Sequence, residues 1–115
     1  MPKISSMSYN VKSIEVFERQ AKRLIKKFPS LKEELKSLIK ELKENPAAGT
    51  AIGNHCHKIR LSIASKGKGK SGGARVITYF VISEKNVYLL SIYDKSEKEN
   101  LTSRELQDLL KSIPK

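Results

Sequence analysis

The chain has 115 residues, a length that fits one domain with a modest buried core. Hydrophobic residues make up 38% and charged residues 30%, a balance that excludes a disordered or fibrous chain. Because 23 Lys and Arg oppose 12 Asp and Glu, the net charge of +11 predicts an acidic partner: a nucleic acid, an anionic membrane or an acidic protein. No apolar run is long enough for a membrane span or a secretory signal, and the single cysteine excludes an internal disulfide. We expect one cytoplasmic domain over residues 1–115, with residues 1–7 flexible and no contact with a membrane.

Apolar residues at helical spacing predict a helical hairpin after a short first strand at 8–13. The apolar stripe of the first helix consists of Phe17, Ala21, Leu24, Ile25 and Phe28. The second helix is expected to begin at Ser30, because Glu33 stands three residues later and completes a capping box. Asn45 and Pro46 are expected to end it. Two amphipathic helices joined by a tight break are typical of an antiparallel helical hairpin.

Beyond Gly53 the hydrophobic period changes to two, which predicts strands. The strands are expected at 55–63, 75–82 and 87–93, with a loop at 65–73. Thr102 and Glu105 predict a capping box at the start of a C-terminal helix. The order β-α-α-β-β-β-α predicts an α+β fold: a small antiparallel or mixed sheet of about four strands, an N-terminal helical hairpin and a C-terminal helix. The helices are expected to pack on one face of the sheet.

A one-sided positive charge marks the middle of the chain. From Asn45 to Ser83 there is no Asp or Glu, but there are six cations: Lys58, Arg60, Lys66, Lys68, Lys70 and Arg75. Three of them alternate with glycines that let a backbone come close to a ligand. The loop is not a P-loop, because it lacks the required spacing and leads into a strand. This field predicts a polyphosphate partner, in a small protein usually nucleic acid, and the alternative is a loop whose lysines only keep it solvated.

A second polar group stands at the expected end of the last strand, where Tyr93, Lys95 and Glu97 follow one another at alternate positions. RNA cleavage by the 2′-hydroxyl needs a base, a positive charge at the phosphate and an acid for the leaving 5′-oxygen. These residue types could supply such roles. Spacing alone favours the alternative, a polar turn that precedes the last helix.

The two histidines, His55 and His57, and the single Cys56 lie on one expected strand. We interpret His57 as half-buried and structural, because it shares a strand face with Ile59 and other apolar residues. No Cys-x-x-Cys or His-x-x-x-His spacing is present, so neither a metal nor another cofactor is predicted. Cys56 is expected to be inert, since no catalytic triad is evident.

Three segments follow one another behind the helical hairpin: Lys58-Ile59-Arg60, a Lys-rich run with Gly-Gly-x-Arg-Val-Ile at 66–77, and a run with Tyr-x-Lys-x-Glu at 89–97. Together they resemble the RelE/ParE toxin superfamily, and in particular its HigB-like branch. The resemblance covers roughly residues 8–113. It implies the toxin of a type II toxin–antitoxin pair, an endoribonuclease that enters the ribosomal A site and cuts mRNA without a metal.

The resemblance also implies roles for individual residues. Arg60 and Arg75 correspond to arginines that bind phosphate and stabilise the transition state. Lys58, Lys66, Lys68 and Lys70 are expected to face RNA. Tyr93, Lys95 and Glu97 match the strand-end motif, and the general base is left open between Lys95 and Glu97. The chain departs from RelE in ending with a Leu-rich helix that carries no tyrosine.

The expected partners are mRNA, the ribosome and a cognate antitoxin, itself expected to be a helix-turn-helix protein that covers the basic face. Two alternatives stay open. One is a ParE-like toxin, which shares the fold but poisons DNA gyrase and has no nuclease site. The other is an RNA-binding module without catalytic activity.

Overall fold

The computed structural model describes residues 9–66 and 73–114, and only the backbone of Lys66. The segment 1–7 and the loop residues Lys68 and Lys70 lie outside the described residues. The elements along the described chain are β1 (Asn10–Ser13), α1 (Glu15–Lys27), α2 (Leu31–Glu44), β2 (Thr50–Gly53), β3 (Cys56–Leu61), β4 (Ala74–Val81), β5 (Asn86–Asp94) and α3 (Ser103–Lys111). Within these ranges no helix has the length and apolar character that a membrane crossing requires.

The strands form one mixed sheet in the order β1-β5-β4-β3-β2. β1 pairs with β5 in parallel, and the other neighbouring pairs are antiparallel. The α+β class and the helical hairpin are confirmed, with one strand more than the four expected. The additional strand is β2, an edge strand whose four residues are all exposed. It escaped prediction because it lacks the apolar alternation that marks a half-buried strand.

A two-residue turn joins β2 to β3. Both Asn54 and His55 have positive φ angles, 55° and 63°, as a tight hairpin turn of type I′ requires. His55, which was expected on a strand face beside His57, lies in this turn instead. The correction follows from the register, which pairs Gly53 with Cys56 and leaves only two residues between the strands.

Helices α1 and α2 cover one face of the sheet. The register sets Ile59 beside Val76 and Val76 beside Ile92, and all three side chains are buried. Leu38 of α2 and Ile59 of β3 line the same shallow cavity, which places α2 over this face of the sheet. The buried residues that the two helices contribute are Phe17, Ala21, Leu24, Leu31, Leu35, Leu38 and Leu42. Each large apolar side chain buried here stabilises the fold by about 1.5–3 kcal/mol.

Helix α3 lies on the opposite face, so the prediction that all helices share one face was wrong. Leu106 of α3 borders Ile77 and Tyr93, whose side chains alternate along their strands with those of Val76 and Ile92. The reason is that β4 and β5 are buried on both faces over most of their length. The leucine stripe of α3 therefore finds a second apolar surface.

The two predicted capping boxes have different outcomes. Thr102 accepts a hydrogen bond from the Glu105 N–H at 3.1 Å and its own N–H donates to Glu105 Oε1 at 2.7 Å, which confirms the box of α3. The Ser30–Glu33 box does not form. Ser30 has helical backbone angles, and its hydroxyl lies 2.8 Å from that of Ser65, in the segment after β3. A tertiary contact has thus replaced the local cap.

Gly73 brings the start of β4 against the end of β3. Its φ is +48°, and a Cβ at this position would lie 2.4 Å from the carbonyl oxygen of Leu61. Its own carbonyl accepts a hydrogen bond of 3.2 Å from the Lys95 N–H. Only glycine permits both the backbone angle and the close approach.

We expect Gly73→Ala to reduce the free energy of unfolding by more than about 2 kcal/mol, because strain at positive φ and a backbone clash add up. Gly53→Ala is the matched control, since Gly53 has a φ of +92° but no atom within 4 Å of the point where a Cβ would lie. It should lose only about 1 kcal/mol. Urea unfolding of both variants measures the difference, and equal losses would show that the clash at Gly73 is relieved elsewhere.

Candidate active site

The register of the sheet brings three of the predicted catalytic residues into one row. Arg60 on β3 pairs with Arg75 on β4, and Arg75 pairs with Tyr93 on β5. Directly paired residues project on the same face of a sheet, with Cβ atoms about 5 Å apart. Two guanidinium groups and a phenol therefore stand side by side on the face that carries α3. These are residue types that can bind a phosphate and move a proton near it.

The three members of the row differ in exposure. Arg60 is exposed, whereas Arg75 is only 5% and Tyr93 only 6% accessible to solvent. The Arg75 guanidinium donates a hydrogen bond of 3.2 Å from Nη1 to the carbonyl oxygen of Ala74. Tyr93 lies beneath α3, next to Leu106. Arg60 thus meets solvent directly, while the other two are covered.

The hydroxyl of Tyr93 is buried and has no hydrogen-bond partner within the described part of the chain. Burial raises the pKa of this phenol, the charge of Arg75 lowers it, and the charge of Glu105 raises it further. Because the pKa of Tyr93 is raised, the phenol keeps its proton at neutral pH. A protonated phenol cannot act as a base, and its raised pKa makes it a weaker acid than an ordinary tyrosine.

We expect Tyr93→Phe to leave the fold intact and to raise the free energy of unfolding by about 1 kcal/mol or more. A buried hydroxyl without a partner costs about 1–3 kcal/mol, and the substitution removes it while the ring stays in place. Thermal unfolding measures the change. A loss of more than about 1 kcal/mol would show that the hydroxyl has a stabilising partner.

The loop at the end of β5, Asp94–Asn100, is here called the strand-end loop. Asp94 is buried, and its Oδ1 accepts hydrogen bonds from the Ser96 N–H at 2.9 Å and the Ser96 hydroxyl at 2.8 Å. Its backbone carbonyl accepts from Glu97 N–H at 2.9 Å and from Lys98 N–H at 3.1 Å. The N–H of Lys95 donates to Gly73, just before β4. These bonds hold Lys95, half-buried, near the start of the strand that carries Arg75.

The carboxylate of Glu97 lies against α1. It forms ion pairs with Arg23 at 2.9 Å and with Lys27 at 3.2 Å. The hydrogen bond from Arg23, followed by that from Lys27, holds the pKa of Glu97 below its usual range. A lower pKa makes a weaker base. The Glu97 side chain is 39% exposed, so each pair contributes at most about 1 kcal/mol to stability.

Two further contacts anchor the strand-end loop. Lys98 pairs with Glu105 of α3 at 2.7 Å, and Lys58 of β3 donates from Nζ to Asn100 Oδ1 at 2.8 Å. Lys58, which was predicted to bind RNA, is thus half-buried and held by the loop. The side chain of Lys66 and all of Lys68 and Lys70 lie outside the described residues, so their role stays a prediction.

The histidines and the cysteine stand apart from the row. His57 is half-buried, and its ring lies 5.9 Å from that of Phe80 between centroids, as expected of a structural residue. Cys56 is 1% exposed, and burial raises the pKa of its thiol to about 11. The thiol is therefore protonated at neutral pH and is not a nucleophile. Within the described ranges, no group of three or more His, Cys, Asp or Glu could hold a metal ion.

Sequence reasoning missed Arg23 and Lys27, the two partners of Glu97. A signal for them exists, because the cations of α1 recur at helical spacing just as the apolar residues do. The segment from Asn45 to Ser83 has six cations and no acid, and this stronger positive charge drew attention away from the cations of α1. Their contact with Glu97 bridges 70 or more residues of sequence and could not be read from local spacing.

The sequence model described as the RelE toxin of the RelE / RelB toxin–antitoxin system matches residues 13–114. The structure is similar to that of the E. coli toxin RelE, solved in the free state as a double arginine-to-alanine mutant. That match has a TM-score of 0.59 and 23% identity, and it covers 93% of this chain and 99% of the other. At this identity the structural likeness supports the fold alone. The assignment to the HigB-like branch stays a prediction.

Proposed function

This chain belongs to the RelE toxin family, and we propose that it is a metal-independent endoribonuclease that cleaves mRNA on the ribosome. Membership makes it a toxin of a type II toxin–antitoxin pair, with an antitoxin as its partner. The observation that carries the proposal is the row of Arg60, Arg75 and Tyr93 across three strands. Two guanidinium groups beside a phenol are a combination that phosphate cleavage requires and that a toxin acting only by binding does not.

The proposed reaction is attack by a 2′-hydroxyl on the adjacent phosphate. The hydroxyl passes its proton to a water molecule, its oxygen bonds to phosphorus, the bond to the 5′-oxygen breaks, and that oxygen takes up a proton. Arg60 and Arg75 would stabilise the charge that develops on the phosphate, since planar guanidinium forks match its geometry. Tyr93, which keeps its proton at neutral pH, would donate to the leaving 5′-oxygen, because an alkoxide is a stronger base than a phenolate. The products would be a 2′,3′-cyclic phosphate and a 5′-hydroxyl.

Lys95 and Glu97 receive different roles in this proposal. Lys95 would add positive charge at the phosphate, since the bonds of the strand-end loop hold it beside the start of β4. Glu97 would orient the loop, because its two ion pairs with α1 engage both carboxylate oxygens and its lowered pKa makes it a weak base. RNA binding would have to uncover Arg75 and Tyr93, which are buried in the free protein.

The further parts of the proposal concern partners. mRNA in the ribosomal A site would be the substrate, and the toxin would act in the cytoplasm. The antitoxin would be a helix-turn-helix protein encoded beside the toxin, and the branch would be HigB-like. The exposed Arg60 and the net charge of +11 support an acidic covering segment on the antitoxin.

The test is cleavage mapping in a reconstituted translation reaction. Wild-type protein should cut mRNA held on ribosomes, leave free mRNA intact, and have no effect on DNA supercoiling by gyrase. A chelator of zinc and other transition metals should not change the rate of mRNA cleavage. If mRNA stays intact and gyrase is inhibited, the ParE-like alternative is correct. If mRNA stays intact and the protein binds RNA tightly, the alternative of a non-catalytic RNA-binding module is correct.

Arg75 provides the sharpest single substitution. We expect Arg75→Ala to lower the single-turnover rate by about 10²–10³ while ribosome affinity falls only a few-fold, because the contact strengthens as charge develops in the transition state. Arg75→Lys should recover little, since an ammonium cannot make the planar bidentate contact. Rates and dissociation constants of both variants measure the effect.

Arg104→Ala is the control for loss of charge, since Arg104 is exposed on α3. Because Arg75 is buried, thermal unfolding of each variant checks that the fold is intact. A lysine variant as fast as wild type would contradict the role given to the guanidinium.

A further inference from the structure

Helix α1 carries a row of cations on its exposed side. The row, here called the α1 cation stripe, consists of Arg19, Lys22, Arg23, Lys26 and Lys27, and all five residues are exposed. Their spacing of i, i+3, i+4, i+7 and i+8 places them on one side of the helix, within an arc of about 140°. The buried residues Phe17, Ala21 and Leu24 occupy the opposite side. The stripe is therefore a straight, solvated band of positive charge about 12 Å long.

The other described helices carry no such band. The only acids of α1, Glu15 and Glu18, both lie in its first turn. Helix α2 has four lysines and four glutamates, and α3 has two cations and two acids, so their charges cancel. From Arg19 to Lys27, every charged residue of α1 is positive. A field of one sign on a rigid element attracts polyanions.

One carboxylate from outside the helix reaches the stripe. Glu97 of the strand-end loop pairs with Arg23 through Oε1 and with Lys27 through Oε2. It thus occupies the end of the stripe as a bound phosphate would, with two oxygens on two cations. Glu97 belongs to the same loop as Lys95, so the end of the stripe contacts the loop that borders the candidate active site.

We propose that the α1 cation stripe is a second phosphate-binding surface, which takes the backbone of double-stranded RNA, and that Glu97 competes with that backbone for Arg23 and Lys27. The inference rests on the proposed function, since a toxin that works on the ribosome meets RNA duplexes around the mRNA. A length of about 12 Å faces about three to four phosphates of one strand. A straight helix side suits the regular backbone of a duplex, whereas mRNA in the active site has to be single-stranded.

Two other occupants fit the stripe less well. A membrane surface would need exposed apolar side chains at the edge of the cationic band, but the nearest ones, Val16 and Ile25, are half-buried and packed against the core. A protein partner would need an apolar centre with a polar rim. Exposed positions of the stripe carry lysine and arginine only, which matches a phosphate backbone.

The experiment measures equilibrium binding of the full chain to a short RNA duplex of generic sequence, at several salt concentrations. The variant is the double substitution Lys22→Ala/Lys26→Ala. The matched control is Lys36→Ala/Lys40→Ala on α2, which removes the same charge from exposed positions. We expect the stripe variant to bind about tenfold more weakly, with a salt slope smaller by about 1 to 2, and the control to stay within about threefold of wild type. Equal losses in both variants would overturn the inference, because they would reflect net charge alone.

Glu97→Gln tests the competition directly. The substitution keeps the shape of the side chain and removes its charge, so duplex binding should tighten several-fold at low salt. Unchanged or weaker binding would overturn the competitive role of Glu97. Polyglutamate serves as the acidic polypeptide probe, and an equal loss of affinity for it in the stripe variant would overturn the assignment to RNA. Duplex binding is independent of cleavage, so a wild type that binds through the stripe but cuts no mRNA would contradict the proposed function alone.

Discussion

The pairing register of β3, β4 and β5 is the constraint on which the candidate site depends. On one face it aligns Ile59, Val76 and Ile92 under the helical hairpin, and on the other it aligns Arg60, Arg75 and Tyr93. A slip by one residue would exchange the faces and bring the charged side chains of the polar row under the helical hairpin. Three such side chains contribute about 5–9 kcal/mol by burial, as an upper estimate, which is comparable to the whole stability of a small domain. The hydrophobic row therefore holds the polar row in place.

The strand-end loop adds Lys95 beside the row of residues that the register aligns. Each of its surface ion pairs is weak by itself, because exposed pairs contribute at most about 1 kcal/mol. They reach different elements, however: Glu97 reaches α1, Lys98 reaches α3, and Asn100 is held by β3. The buried carboxylate of Asp94 closes the turn from within. A loop restrained from several sides can hold Lys95 near the row without a buried core of its own.

Much of this fold follows from local patterns, and the failures have physical causes. The two helices of the hairpin, the three central strands and the Thr102 cap were predicted correctly from local period and capping, whereas the equally local Ser30 box was lost to a tertiary contact with Ser65. The strand β2 was missed because it buries nothing, and α3 was placed on the wrong face because β4 and β5 are apolar on both. For the site, residue types led to Arg60, Arg75 and Tyr93, but their alignment, the burial of Arg75 and the ion pairs of Glu97 depend on tertiary contacts that spacing does not encode.

The measurement that tests the central claim most directly is a double-mutant cycle on the row. Single-turnover cleavage of ribosome-bound mRNA would be compared for wild type, Arg60→Ala, Tyr93→Phe and the double variant, at saturating ribosome. Because neighbours that act on one phosphate work as a unit, we predict that the double variant loses far less than the product of the two single losses. Strictly multiplicative losses, or wild-type rates in both single variants, would contradict the claim that the register of the sheet assembles the active site.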